Sequence, residues 1–130
     1  MILAIKTADF TTALTLLDVH GKTVQAAHWE SARRLADQLL EKIEQLLSDA
    51  KAVPPDLNGI IIFSGPGSFT SLRIGHSVAN ALADSLEIPI VGTSGDEWVQ
   101  QGQEALKHAQ PGRPTLPVYG ADAHITMPKA

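Results

Sequence analysis

One stretch constrains this chain more than any other. An apolar run, Gly59-Ile60-Ile61-Ile62-Phe63, leads directly into Ser64-Gly65-Pro66-Gly67-Ser68-Phe69-Thr70-Ser71-Leu72-Arg73-Ile74-Gly75. A continuous β-branched and aromatic run suits a parallel strand covered on both faces. Two glycines around a proline make a tight turn, and Ser68 or Thr70 supplies a side-chain oxygen to cap the helix that follows. A strand, a turn and a helix N-terminus together offer free backbone N–H groups to an anion. The spacing matches neither the Lys-Ser or Lys-Thr ending of a Walker loop nor the Gly-x-Gly-x-x-Gly dinucleotide turn. The residues by themselves favour a structural strand-to-helix turn over a phosphate loop.

The rest of the chain supplies partners for that unit. Residues 2–7 read as a first strand, and Thr11–Asp18, with its period-two alternation, as a second. His20-Gly21-Lys22 reads as a hairpin turn into a third strand, Lys22–Glu30. Ser31 opens a helix to about Ala50, with Leu35, Leu39, Leu40, Ile43, Leu46 and Leu47 on one stripe. Pro54-Pro55-Asp56 ends that element. After the glycine turn a helix is expected over Phe69–Leu86, then a short strand at Pro89–Gly92 and a weaker helix over Glu97–His108.

Residues 109–130 are rich in proline and glycine and read as an extended tail, with one short strand at Leu116–Tyr119. The order β-β-β-α-β-α-β-α predicts an α/β domain, 1–108, with a mixed five-stranded sheet covered by helices. That is the plan of ribonuclease-H-like and actin-like domains.

Composition narrows the function classes. A chain of 130 residues is long enough for one domain with a real core. The net charge of −4 argues against this chain alone gripping a nucleic-acid backbone. No apolar run approaches a membrane span, and no basic leader precedes Met1–Ile5, so neither a membrane segment nor a signal peptide is expected. The absence of cysteine excludes disulfides and thiolate metal sites and fits a reducing cytoplasm. The five histidines, at 20, 28, 76, 108 and 124, show no helical metal-pair spacing, and no Ser-His-Asp arrangement can be argued from spacing.

Gly65-Pro66-Gly67-Ser68-Phe69-Thr70, followed by Leu72-Arg73-Ile74-Gly75, resembles the signature of the bacterial TsaB (YeaZ) family. Ile2-Leu3-Ala4-Ile5 with Thr7, the leucine-rich helix, and Ile88-Pro89-Ile90-Val91-Gly92-Thr93-Ser94 agree with it, so that the resemblance spans roughly residues 1–100. It implies an actin-like fold and a role in making threonylcarbamoyladenosine beside the tRNA anticodon. In that role the chain is a non-catalytic scaffold without a cofactor of its own. It binds the transferase TsaD through its helices, works alongside the ATPase TsaE, meets tRNA only indirectly, and can also pair with itself.

Three departures stand out. Lys6 occupies the place of the family's aspartate at the end of the first strand, and an ammonium cannot bind a hard cation. Asp9, three residues on, is a poor substitute. Ser71 replaces a usual glycine. Family members also carry a second domain, which is expected to be missing here. The closing residues, Leu116–Gly120 and Ile125–Lys129, resemble those of full-length members, and the chain is read as a naturally compact form.

The second long helix carries Gly75, Ala79 and Ala83 every four residues, a smooth side another helix can approach closely. Leu72, Gly75, His76, Ala79, Asn80 and Ala83, with Leu39, Ile43 and Leu46 of the first helix, are therefore the candidate partner surface. The competing reading is that this face lies on the chain's own sheet. Arg73 reads as structural. Two other functions stay open: a minimal nucleotide-binding or phosphotransfer domain using Gly65–Arg73, and a self-associating module unrelated to tRNA.

Overall fold

The computed structural model describes residues 1–118, apart from the side chain of Ala32. Eight strands and helices make up the described residues: β1 Ile2–Lys6, β2 Thr11–Leu17, β3 Thr23–Glu30, α1 Leu35–Asp49, β4 Gly59–Phe63, α2 Phe69–Leu86, β5 Ile90–Thr93 and α3 Trp98–Leu106. Single 3-10 turns at Ala32–Arg34 and Pro54–Asp56 lead into α1 and β4. The five strands form one sheet in the order β3-β2-β1-β4-β5. β1, β2 and β3 are an antiparallel meander, whereas β4 lies parallel to both β1 and β5.

The meander is set by its first turn. Asp18 Oδ1 accepts the backbone N–H groups of His20 and Lys22, at 2.8 and 3.0 Å. The Lys22 bond above all holds the Asp18 carboxyl below its usual range. Thr12 and Ser31 share a buried hydroxyl hydrogen bond of 2.8 Å, and the Ser31 N–H and hydroxyl both donate to the Phe10 carbonyl. These bonds turn the chain from β3 into α1.

One sheet face carries the main core. Leu3 and Ile5 of β1, Leu14 and Leu16 of β2, and Ile60 and Ile62 of β4 meet Leu35, Leu39, Ile43, Leu46 and Leu47 of α1 and Ala79 and Ala83 of α2. α3 lies on the other face. A methyl group on Gly102 would overlap Ile61, and Leu106 packs against Gly59. The rings of Phe63 and Trp98 meet edge to face at 5.7 Å.

The expected order of elements stands, with ends shifted by a residue or two and a 3-10 turn at the head of α1. The expected strand at Leu116–Tyr119 does not form over Leu116–Val118, which run as irregular extended chain, and Tyr119 lies outside the described residues. The expected closing residues 120–130 lie outside them too.

Candidate functional site: the glycine turn and the α1–α2 groove

The Gly-Pro-Gly turn is held from both sides by the chain's own backbone. Gly65 has φ +123°, a conformation that L side chains rarely adopt, and a methyl there would strike the Val118 carbonyl oxygen. On the other side, the Ser68 N–H donates to the Ala8 carbonyl at 2.6 Å. Gly67 sits so close that an added methyl would overlap Ala8. Ser68 caps α2, its hydroxyl accepting the Ser71 N–H at 3.4 Å, while its carbonyl takes the Leu72 N–H at 2.9 Å. Thr7, fully buried, donates its hydroxyl proton to the Ser71 carbonyl at 2.9 Å.

This arrangement does not fit a magnesium nucleotide, the ligand an actin-like fold implies. Residues 7–8, just beyond β1, pack against the turn and helix start, so that the Ser68 N–H and the space beside Gly67 are already taken by Ala8. Lys6 ends β1 with its ammonium 4.4 Å from the centre of the Phe63 ring, a cation–π contact that puts a positive charge where a magnesium ion needs a carboxylate. Asp9 turns away, its Oδ1 accepting the Thr11 N–H at 2.9 Å. Among the described residues no three His, Cys, Asp or Glu side chains gather as a metal site. No described helix is long and apolar enough to cross a membrane.

The smooth side of α2 faces inward, which corrects the expectation that it meets a partner. Leu72, Gly75, His76, Ala79 and Ala83 are all buried within the chain, as are Leu39, Ile43 and Leu46 of α1. The small residues let α2 lie close on β1: a methyl added to Gly75 would overlap the Thr7 side chain. Asn80 is half-buried and bonds the backbone of Thr115. His76 Nδ1 lies 2.9 Å from the Leu72 carbonyl, while Nε2 is buried without a partner among the described residues. Burial lowers the His76 pKa against the opposing pull of that carbonyl.

The opposite side of α2 is partly open, with Arg73 and Ser77 exposed and Ile74 and Val78 half-buried against the main core. Thr70, Arg73, Ile74, Ser77 and Val78 line a groove of about 360 Å³ with Ala36 of α1. Arg73 lies over the Phe69 ring at 5.6 Å, and Phe69 stays 54% exposed. Leu40, the one α1 stripe leucine outside the core, is 50% exposed. The signal was present as a stripe at Thr70, Ile74, Ser77 and Ala81, but it is only weakly apolar.

Comparison with known proteins bears on the family and the fold. The family model described as "TsaD: tRNA N6-adenosine threonylcarbamoyltransferase" matches residues 29–122. The chain is 37% identical over 94 residues to the tRNA threonylcarbamoyladenosine biosynthesis protein TsaB of Bacillus subtilis, covering 72% of this chain and 40% of that protein. It is 34% identical over 101 residues to the TsaB of Escherichia coli, covering 78% of this chain and 43% of that one. The chain thus spans roughly two-fifths of the length of these curated relatives. The solved structure of YeaZ from Pseudomonas aeruginosa superposes with a TM-score of 0.66 at 29% identity, over 72% of this chain and 43% of that one. With its signature turn, its five-stranded mixed sheet and these relatives, the chain belongs to the TsaB/YeaZ family, within the wider group matched by the TsaD model.

Proposed function

We propose that this chain is a non-catalytic subunit in tRNA threonylcarbamoyladenosine synthesis, one that binds a TsaD-type transferase through the exposed face of α1 and α2. The observation that carries the reading is the α1–α2 groove. It is an open seam between the two helices, shallowly apolar at Ala36, Ile74 and Val78 and rimmed by Arg73 and Thr70. Arginine and aromatic side chains are enriched among binding hot spots, and Arg73 and Phe69 supply them here, with the half-exposed Leu40 on α1. The blocked glycine turn supports a role without nucleotide chemistry in this chain. Activation then means differential affinity: the subunit favours the transferase conformation that it binds more tightly.

Co-purification of the chain with the TsaD-type transferase of the same cell tests this reading. Ser77→Arg, on the exposed wall of the groove, is expected to leave the fold intact and weaken the complex. No complex between two folded wild-type proteins rejects the transferase as partner. A stable homodimer that Ser77→Arg dissolves would assign the groove to a second copy instead. An unchanged complex in Ser77→Arg moves the contact to another face.

A further inference from the structure

Beyond α3 the chain turns through Pro111 and Gly112 and returns along the seam between α2 and β5. Residues 113–118 form an extended strap there without helix or strand. The domain grips this strap by its main chain. Asn80 donates an Nδ2 proton to the Thr115 carbonyl at 2.9 Å and accepts the Thr115 N–H on Oδ1 at 3.0 Å. Three residues on, the Val118 N–H donates to the Ser64 carbonyl at 2.7 Å.

The floor of the seam is cut to backbone thickness. A methyl on Gly92 would overlap the Ser64 hydroxyl and crowd that of Thr115, and one on Gly65 would overlap the Val118 carbonyl. The three-residue spacing of the anchors suits a polyproline-type extended segment; Pro117 fixes the backbone between them and Pro114 the residue just before the first.

Only Thr115 and Pro117 of the strap bury part of their side chains. Leu116 is 80% exposed and Val118 52%, and Arg113 and Pro114 are exposed as well. A groove that bonds the peptide N–H and C=O and selects by close steric fit uses the logic of strand-addition sites, in which main-chain bonds give affinity. Nothing in those bonds depends on the strap being covalently attached to the domain that holds it. The connection allows exchange: Gly112, at φ +88°, has open space around it. Identical elements exchanged between copies are a low-cost route to dimers.

We propose that the α2–β5 seam is a peptide-binding groove whose resident ligand is residues 113–118, and that it accepts the same segment from a second copy of the chain. In the wild type the attached strap competes at an effective concentration of about millimolar, which masks the site.

The test uses the full chain with the strap released by Thr115→Pro, which removes the N–H that Asn80 accepts. The probe is a labelled peptide with the sequence of residues 112–118, read by fluorescence anisotropy. The released chain is expected to bind it at least about tenfold more tightly than the wild type. Adding Asn80→Ala should lower that affinity by about tenfold or more, since two hydrogen bonds are lost. Val118→Pro, which frees the other anchor, serves if Thr115→Pro does not fold. A folded released chain that binds no better than wild type, or binds equally well with Asn80→Ala, overturns the groove. Exchange is read by mixing Asn80→Ala chains, whose strap is intact, with Thr115→Pro chains, whose groove is intact. Light scattering should find a mixed dimer that neither variant forms alone, and monomers throughout reject the second copy as occupant.

Discussion

Thr7 and Gly75 are in contact across the junction of β1 and α2, with no room for a single extra carbon between them. The Thr7 hydroxyl is bonded to the Ser71 carbonyl one turn earlier in the same helix, so its position cannot relax freely. Gly75→Ala is expected to force α2 off β1 and destabilise the chain by roughly 1–3 kcal/mol, the usual cost of overpacking. Thr7→Val keeps the shape but leaves the Ser71 carbonyl without its hydroxyl donor, and should cost about 1 kcal/mol or more. Urea denaturation of both variants measures this. A Gly75→Ala protein as stable as wild type would show that the helix moves away at no cost.

The inward course of the small residues yields a sharper contrast on the same helix. Ala79 is fully buried in the main core, whereas Ser77 is exposed. Ala79→Glu would place a carboxylate in that core with no partner, and is expected to destabilise by about 3 kcal/mol or more, or to raise the pKa of the new group strongly. Ser77→Arg should shift the melting midpoint by no more than an ordinary surface change. Circular dichroism melts of the two variants separate the inner face from the outer one. Equal behaviour would contradict the orientation of α2.

That contrast also marks what the sequence could disclose. The order of elements was legible because each strand and helix carries its own period, and because Pro54-Pro55 and the Gly65-Pro66-Gly67 turn punctuate the chain. Which side of α2 lies inward was not legible. The helix has small residues on one side and a mixture of Ile74, Val78, Ser77 and Thr70 on the other, so hydrophobicity alone ranks the two sides nearly equally. The deciding facts are long-range: Thr7 meets Gly75, and Ala8 takes the Ser68 N–H. The clasp of Asn80 on Thr115 spans 35 residues and leaves no periodic trace. The apolar stripe of α1 is legible as a stripe, but the assignment of Leu39, Ile43 and Leu46 to a partner surface fails, since all three are buried and only Leu40 stands outside the core.

The blocked turn predicts no specific affinity for magnesium-ATP. Titration calorimetry should give no saturable heat with the wild type, and none with Lys6→Asp. Restoring a carboxylate at the end of β1 leaves the Ser68 N–H on Ala8 and leaves Gly67 pressed against the same residue. Saturable binding by the wild type, lost in Gly67→Val, would mean that the turn opens to admit phosphate. Binding by Lys6→Asp alone would mean that the charge at residue 6, and not the occupied turn, excludes the nucleotide.

His76 predicts how stability depends on pH. Its folded-state pKa lies below the ordinary value of 6.5, because burial penalises the imidazolium more than the Leu72 carbonyl favours it. Below pH 6.5 the unfolded chain therefore binds more protons at this residue than the folded chain does. Stability from this group is fully present above pH 6.5 and is lost as the pH falls towards the lowered folded value. The wild type should melt at a lower temperature at pH 5.5 than at pH 7.5, and His76→Leu should show a smaller drop. The substitution also removes the buried Nε2 that has no partner among the described residues, so it should cost little at pH 7.5. Equal drops in the two proteins would shift the pH sensitivity to other groups, and a larger drop in His76→Leu would mean that the protonated imidazole is stabilised in the fold.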